Sequence, residues 1–322
     1  MSETAKNEPM SRFLMYKVAM RSDDFDLAAE CLSIVSTAST QDPTLLYACC
    51  LDAQQAGNKT QTLLALQRVL EVNDTITIAG VHLPSLLRLT IGLMESFLND
   101  SSKNEVVVDV ENVTEKMCQI FEKASDASQK SRSHGKCDSA WNIEELDWFS
   151  KNSYNLAIKH ISSWHPRQSL RMLICCISFI DHYPKNISEQ ISGDLSLRKM
   201  FCQFSASTAL VSLARGEDNK EVQLQHYLDL RKHVNNFDSL LQEKLVKMGR
   251  SAVQDLRRKL SVLASFEFEA SCHLKDWDSL DAIFDKVVNC PMSQIYEVMA
   301  DCLLSSEAPS KGCSRPVCQV LS

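Results

Sequence analysis

The sequence predicts an all-α fold, an α-solenoid of degenerate tetratricopeptide-like helix pairs. Three observations carry this. Apolar residues recur at spacings of three and four along nearly the whole chain, the period of an α-helical face. Gly and Pro number only 8 each in 322 residues, while 44 % are hydrophobic; turn formers are scarce and core formers plentiful. Two early helical segments also superimpose with an offset of 37, close to the 34 of a tetratricopeptide unit. In such folds each helix pair leaves an apolar face that only a neighbouring pair can bury.

The elements follow in order. Ser11 to Met20 reads as a first helix. Ser22 is placed to cap a second, whose Phe25, Ala28, Leu32 and Val35 share one face. Asp42-Pro43 is a helix start, an N-cap followed by Pro in the first turn. That helix carries Leu45, Leu46 and Cys49 and stops near Gly57. A fourth helix places Ala65, Val69 and Val72 inward, matching Ala28, Leu32 and Val35 at the offset of 37. Further helices are expected at Leu83 to Leu98 and Val106 to Ala124. Residues 125–138, SDASQKSRSHGKCD, are polar and Ser-rich and predict an exposed loop.

Beyond that loop, helices are expected from Ile143 to Ser163 and from Arg167 to His182, the latter ending before Pro184. Three more are expected at Leu195 to Ala214, Glu221 to Val234 and Phe237 to Met248. Val253 to Pro291 reads as another repeat, its second helix carrying Trp277, Leu280, Phe284 and Val287. Tyr296, Met299 and Leu303 mark a last helix. The organisation expected is therefore N-terminal helical repeats over 1–124, the loop at 125–138, central and C-terminal repeats over 139–308, and an atypical tail at 309–322.

Charge and composition narrow the function classes. A net charge of −7 argues against a broad basic face for nucleic acid. No apolar run approaches the roughly 20 residues of a membrane span. The polar N-terminus and 13 cysteines, several on apolar helical faces, point to a reducing compartment. His134 with Cys137, and Cys313 with Cys318, lack the paired short spacings of a structural zinc site, so no metal is expected. No phosphate-binding glycine loop, HExxH or GxSxG is present. Acid pairs such as Asp23-Asp24 and Glu144-Glu145 are adjacent and diverge on a helix. No cofactor and no catalytic residue is expected.

The segment from Trp141 to Pro184 stands apart, and within it ELDWFSKNSYNLA, Glu145 to Ala157. On a helix, Leu146, Ser153, Ala157, Ile161 and Trp164 form one face with Phe149 and Leu156 beside it, and the small Ser153 and Ala157 allow close helix approach. Trp148, Asn152, Asn155 and Lys159 form the opposite stripe. An aromatic among amides and a cation suits recognition of a partner backbone or carboxylate, so these four are the candidate partner-binding residues. The competing reading is a helix buried on both sides.

This segment resembles the central signature of the Zip-four/Spo-twenty-two family of meiotic crossover and synapsis proteins. FLMYKVAMRSDDFDLAAECL, DPTLLYACCLDAQQAG, GVHLPSLLRLTIGLM, DWDSLDAIFDKVVN and IYEVMADCLLSSEAP are similar to family segments too, so the resemblance spans roughly 12–310. It implies a tetratricopeptide-type scaffold without catalytic residues, acting in the nucleus on meiotic chromosomes. The implied partners are a complex containing an XPF-nuclease-like protein and axis or synaptonemal-complex components, with no direct nucleic-acid or membrane contact. Family members are longer, and SKGCSRPVCQVLS does not resemble them, so the chain is expected to be a fragment or a mispredicted gene product lacking repeats at both ends. The alternative is a tetratricopeptide adaptor of a general chaperone, ubiquitin-ligase or proteasome-lid-like complex.

Overall fold

A computed structural model describes residues 8–38, 43–75, 82–101, 109–133, 139–244, 249–288 and 291–306. Among these residues the fold is all-α, a solenoid-type array of helix pairs with no strand. It divides into two compact units, Met1–Ile120 and Phe121–Ser322.

The first unit holds α1 (Pro9–Arg21), α2 (Phe25–Ala38), α3 (Thr44–Gln55), α4 (Lys59–Thr75), α5 (Leu83–Ser101) and the start of α6 (Val110–Ser133). α1 pairs with α2 and α3 with α4, and the pairs stack α1 on α3 and α2 on α4. The capping of α2 differs from expectation. The Ser22 hydroxyl donates back to the Val18 and Ala19 carbonyls, and Asp24 caps instead, its Oδ1 accepting from Leu27 N at 3.1 Å. In the second pair Asn58 Oδ1 accepts from Gln61 N at 2.9 Å.

That correspondence corrects the repeat length. Asp23 (φ 57°) and Gly57 (φ 70°) both adopt the left-handed conformation. The next residue donates five residues back in each case, Asp24 N to Ala19 O at 3.0 Å and Asn58 N to Ala53 O at 3.1 Å. This is the Schellman closure of a helix. The two turns are 34 apart, so the period is 34 and the offset of 37 was one helical step too long. At 34, Ala28 matches Thr62, Cys31 matches Ala65, Leu32 matches Leu66 and Val35 matches Val69, and all eight are buried. Ala28, Leu32, Val35, Ala65, Val69 and Val72 all lie inward as expected, because a shift of three residues keeps the same helix face, whereas Phe25, at the first position of α2, is exposed.

The second unit holds the rest of α6, then α7 (Ile143–Lys159), α8 (Pro166–Asp181), α9 (Glu189–Arg215), α10 (Lys220–Lys244), α11 (Arg250–Leu274), α12 (Leu280–Val288) and α13 (Ser293–Ser305), with 3-10 turns at Ser139–Trp141 and Trp277–Ser279. Successive helices pack on one another from α7 to α12, and α13 packs on α11. α11 is buried nearly all round from Leu260 to Cys272.

Several boundaries depart from the sequence reading. α9 starts at Glu189 rather than Leu195, with Ser188 as its cap, its Oγ accepting from Ile191 N at 3.4 Å. The expected loop at 125–138 is helical as far as Ser133, and 134–138 lie outside the described residues. Its serines are small contacts for α8: Ser125 Oγ donates to Ser178 Oγ at 2.7 Å, and Ser128 Oγ shares a 2.7 Å hydrogen bond with His182 Nδ1. α7 ends at Lys159, before Ser163; the chain turns through His160, which stacks on the buried Trp164 at 4.6 Å, and Ile161 is left exposed. The two helices expected between Glu221 and Met248 are one, α10. Val234 and Phe237 continue its buried face across Asn235-Asn236, which contain no breaker. Asp42, Val106 to Val108, His134, Cys137, Cys313, Cys318 and the tail at 309–322 lie outside the described residues.

A third left-handed residue, Lys275 (φ 59°), closes α11, and Asp276 N donates to Ser271 O at 2.9 Å. Leu280, Ile283, Phe284 and Val287 then stand to this turn as Ala28, Cys31, Leu32 and Val35 stand to the first, and all are buried. The expected repeat at Val253 to Pro291 is thus present as α11 and α12. Added Cβ atoms at Gly57 would meet nothing within 4 Å, so only the backbone opposes a side chain there. Gly57→Ala is expected to lower unfolding free energy by about 1 kcal/mol, and Lys275→Gly to cause no loss, as read by urea titration.

Candidate functional site

The signature helix α7 is first a packing element. Asn142 caps it, Oδ1 accepting from Glu145 N at 2.9 Å. Phe149 is fully buried and central to an aromatic cluster, with ring centroids at 5.0 Å from Trp148, 5.3 Å from Trp141, 5.4 Å from Phe179 and 6.1 Å from Phe121. Leu146, Ser153, Leu156, Ala157 and Trp164 are buried as expected. The polar letters of the motif tie α7 to α9: Arg198 Nη1 donates to Ser150 Oγ at 2.9 Å and lies 3.7 Å from Asp147 Oδ1, which also accepts from Tyr183 Oη at 3.4 Å. Lys151 pairs with Asp147 at 2.5 Å.

The four stripe residues share one side of α7 but differ in setting. Trp148 is half-buried, its ring edge-on to Phe149. Asn152 is half-buried and its Nδ2 donates to Trp148 O at 2.7 Å, within the helix. Asn155 and Lys159 are exposed. Accessible polar groups are thus concentrated in the last turns of α7.

A second site lies where α9, α10, α11 and α13 end or begin. It is a cleft of about 450 Å³ whose rim carries Arg215, Lys220, His273 and Lys275, with Trp277 and Cys302 among its walls. Its floor is Glu269, on the buried α11. Arg215 Nε donates to Glu269 Oε1 at 3.0 Å and Nη2 to Oε2 at 2.5 Å, a two-point pair. Tyr227 Oη donates to the same Oε1 at 3.0 Å. One carboxylate therefore joins α9, α10 and α11.

The electrostatics follow from these contacts. The hydrogen bond to Glu269 holds the Arg215 guanidinium above its usual pKa. Burial, then the Glu269 charge, push the Tyr227 phenol well up, so it remains a donor. His273 stacks on Tyr227 at 4.7 Å, and desolvation lowers its pKa, leaving the ring neutral at pH 7. Burial pushes the Cys302 thiol up to about 11, far from a reactive thiolate. Cys49 and Cys50 are likewise pushed up to about 12 by burial. Among the described residues no group of three or more His, Cys, Asp or Glu side chains is placed to hold a metal ion. Nor is any helix among them long and apolar enough to cross a membrane.

Sequence reasoning missed this cleft because its residues come from separated helices. One signal was present: Glu267 and Glu269 stand within FEFEASCHL, where apolar residues surround the whole helix. Charges in such a helix are buried, and buried charges need partners. Lys286 supplies the partner for Glu267 at 2.8 Å.

No family model matches the chain and no curated protein is similar to it at a significant level. Among solved structures it is similar to a circular tandem repeat protein with novel repeat topology and enhanced subunit contact surfaces, at 13 % identity and a TM-score of 0.34, covering 97 % of this chain and 68 % of that one. The fold class rests on the helices described above.

Three outcomes are expected. Phe149→Ala should lower stability by about 3–5 kcal/mol, whereas Asn155→Ala with Lys159→Ala should change it by less than about 0.5 kcal/mol, both by chemical denaturation. Tyr227→Phe should cost about 1–3 kcal/mol, because it leaves a buried carboxylate oxygen short of a donor. His233, hydrogen-bonded to Gln203 Oε1 at 2.5 Å, and His273 both have pKa values lowered by burial from 6.5. The unfolded chain therefore binds more protons below 6.5, and the stabilisation these rings give is complete above that pH and lost as pH falls through their folded values. Melting temperature should fall below pH 6.5, and replacing both histidines with Gln should flatten that part of the profile.

Proposed function

We propose that this chain is a non-enzymatic scaffold that acts through protein–protein contacts, in the nucleus on meiotic chromosomes. The observation that carries the scaffold part is the recurrence of one helix-pair turn at Asp23, Gly57 and Lys275 with the same buried positions after each. Repeats of this type build extended surfaces for partner proteins. The meiotic part is supported by the resemblance of Glu145 to Ala157 to the Zip-four/Spo-twenty-two signature. On this reading the partners are the XPF-nuclease-like complex and axis or synaptonemal-complex components. Trp148, Asn152, Asn155 and Lys159 form the proposed contact stripe, with Asn155 and Lys159 its accessible end.

The cation-rimmed cleft favours a second reading, a tetratricopeptide adaptor of a general chaperone, ubiquitin-ligase or proteasome-lid-like complex. A chaperone clamp of that kind holds a partner's C-terminal carboxylate between Lys, Arg and Asn side chains, and Arg215, Lys220 and Lys275 stand around this cleft.

Affinity purification of the tagged chain from cells in meiotic prophase, with mass spectrometry, separates the two. Crossover-complex or axis proteins are expected to co-elute. Recovery of chaperone, ligase or proteasome subunits instead would overturn the meiotic reading and leave the adaptor.

A further inference from the structure

The cleft at the ends of α9, α10, α11 and α13 has a property that the scaffold reading does not assign. Its one carboxylate, Glu269, is already engaged by Arg215 and Tyr227. The floor is therefore neutralised, and the rim presents an excess of positive charge. Lys220 stands at the start of α10 and Lys275 at the end of α11, both exposed. Lys220 Nζ donates to the neutral Gln223 Oε1 at 3.0 Å, and more than half of the Arg215 side chain is open to solvent. This concentration of cations is local, in a chain of net charge −7.

We propose that the cleft is a docking site for an acidic peptide segment of a partner protein, its carboxylates received by Lys220, Lys275 and the open edge of the Arg215 guanidinium. The cations come from three separate elements around the rim, so a segment with several acidic side chains satisfies them where one carboxylate does not. Trp277 and Cys302 give the walls an apolar surface for the neighbouring side chains. A volume of about 450 Å³ falls in the range of ligand pockets. A nucleic-acid backbone needs a continuous basic stripe, whereas these cations are confined to one cleft. Lys275 adds a further argument. A left-handed backbone position disfavours a side chain, and lysine has none of the local hydrogen bonding that lets Asp or Asn adopt it. Lysine at this turn puts a charge on the cleft rim.

The inference rests on the scaffold reading for its partner class, yet the two fail separately. The test is fluorescence anisotropy with the full chain. The probe is a fluorescein-labelled, amidated peptide of glutamates flanking one leucine. Its comparison peptides are the glutamine isostere and a neutral peptide with a free C-terminus. The glutamate peptide is expected to bind, to weaken with added salt, and to lose about tenfold or more with Lys220→Gln plus Lys275→Asn. Asn accepts the left-handed turn, and an unchanged melting curve verifies folding. Lys232→Gln, at an exposed lysine outside the cleft, should leave binding unchanged. Equal binding of the glutamine isostere, preference for the neutral free C-terminus, displacement by low millimolar inorganic phosphate, or full binding by the double variant would each overturn the proposal. Acidic-peptide binding without meiotic partners in the purification would remove the meiotic reading and keep the cleft.

Discussion

The helix pairs α1/α2, α3/α4 and α11/α12 depend on one backbone constraint, a single left-handed residue that ends a helix and reverses the chain. At Asp23, Gly57 and Lys275 the following amide reaches back five residues to a carbonyl of the finished helix. That closure sets how many residues separate the two buried faces. After each turn the fourth, seventh, eighth and eleventh residues following the turn's Asp or Asn point inward, as Ala28, Cys31, Leu32 and Val35 do after Asp24. Neither helix of a pair could bury its apolar face alone. The turn decides which faces meet, and stacking of pairs completes the core.

The same constraint links fold to site. Lys275 is at once the residue that closes α11 and a cation on the cleft rim. Glu269, six residues earlier, is buried because α11 has neighbours on nearly every side, and its charge is tolerated only because Arg215 and Tyr227 meet it from α9 and α10. A carboxylate buried in this way adds little net stability but strongly disfavours arrangements that take its partners away. It fixes the register of three helices and leaves the remaining cations facing outward.

Much of the fold was legible because helical periodicity is local information. The α5, α7 and α8 starts fall within a residue of those expected, and most inward positions of α2, α4 and α12 follow from apolar spacing. What was not legible depended on partners. Ser125 and Ser128 read as loop residues until α8 is present to take their hydroxyls. Asn235-Asn236 read as a break until Val234 and Phe237 are seen on one buried face. The repeat length was misread because side chains three apart occupy the same face, so only the turn at Asp23 and Gly57 distinguishes 34 from 37. The signature letters Asp147 and Ser150 proved to bind α7 into its own unit, while Asn155 and Lys159 were correctly placed at the surface. The cleft required α9, α10, α11 and α13 together, which no local pattern supplies.

The most direct measurement is native-state hydrogen exchange at the amides of Asp24, Asn58 and Asp276. Each lies just outside a helix, where an ordinary loop amide exchanges freely. If all three close the same turn, their protection matches that of the helix interiors they reach back to. Exchange of these amides at solvent rates, with the flanking helices still protected, would contradict the shared turn and the helix-pair repeat built on it.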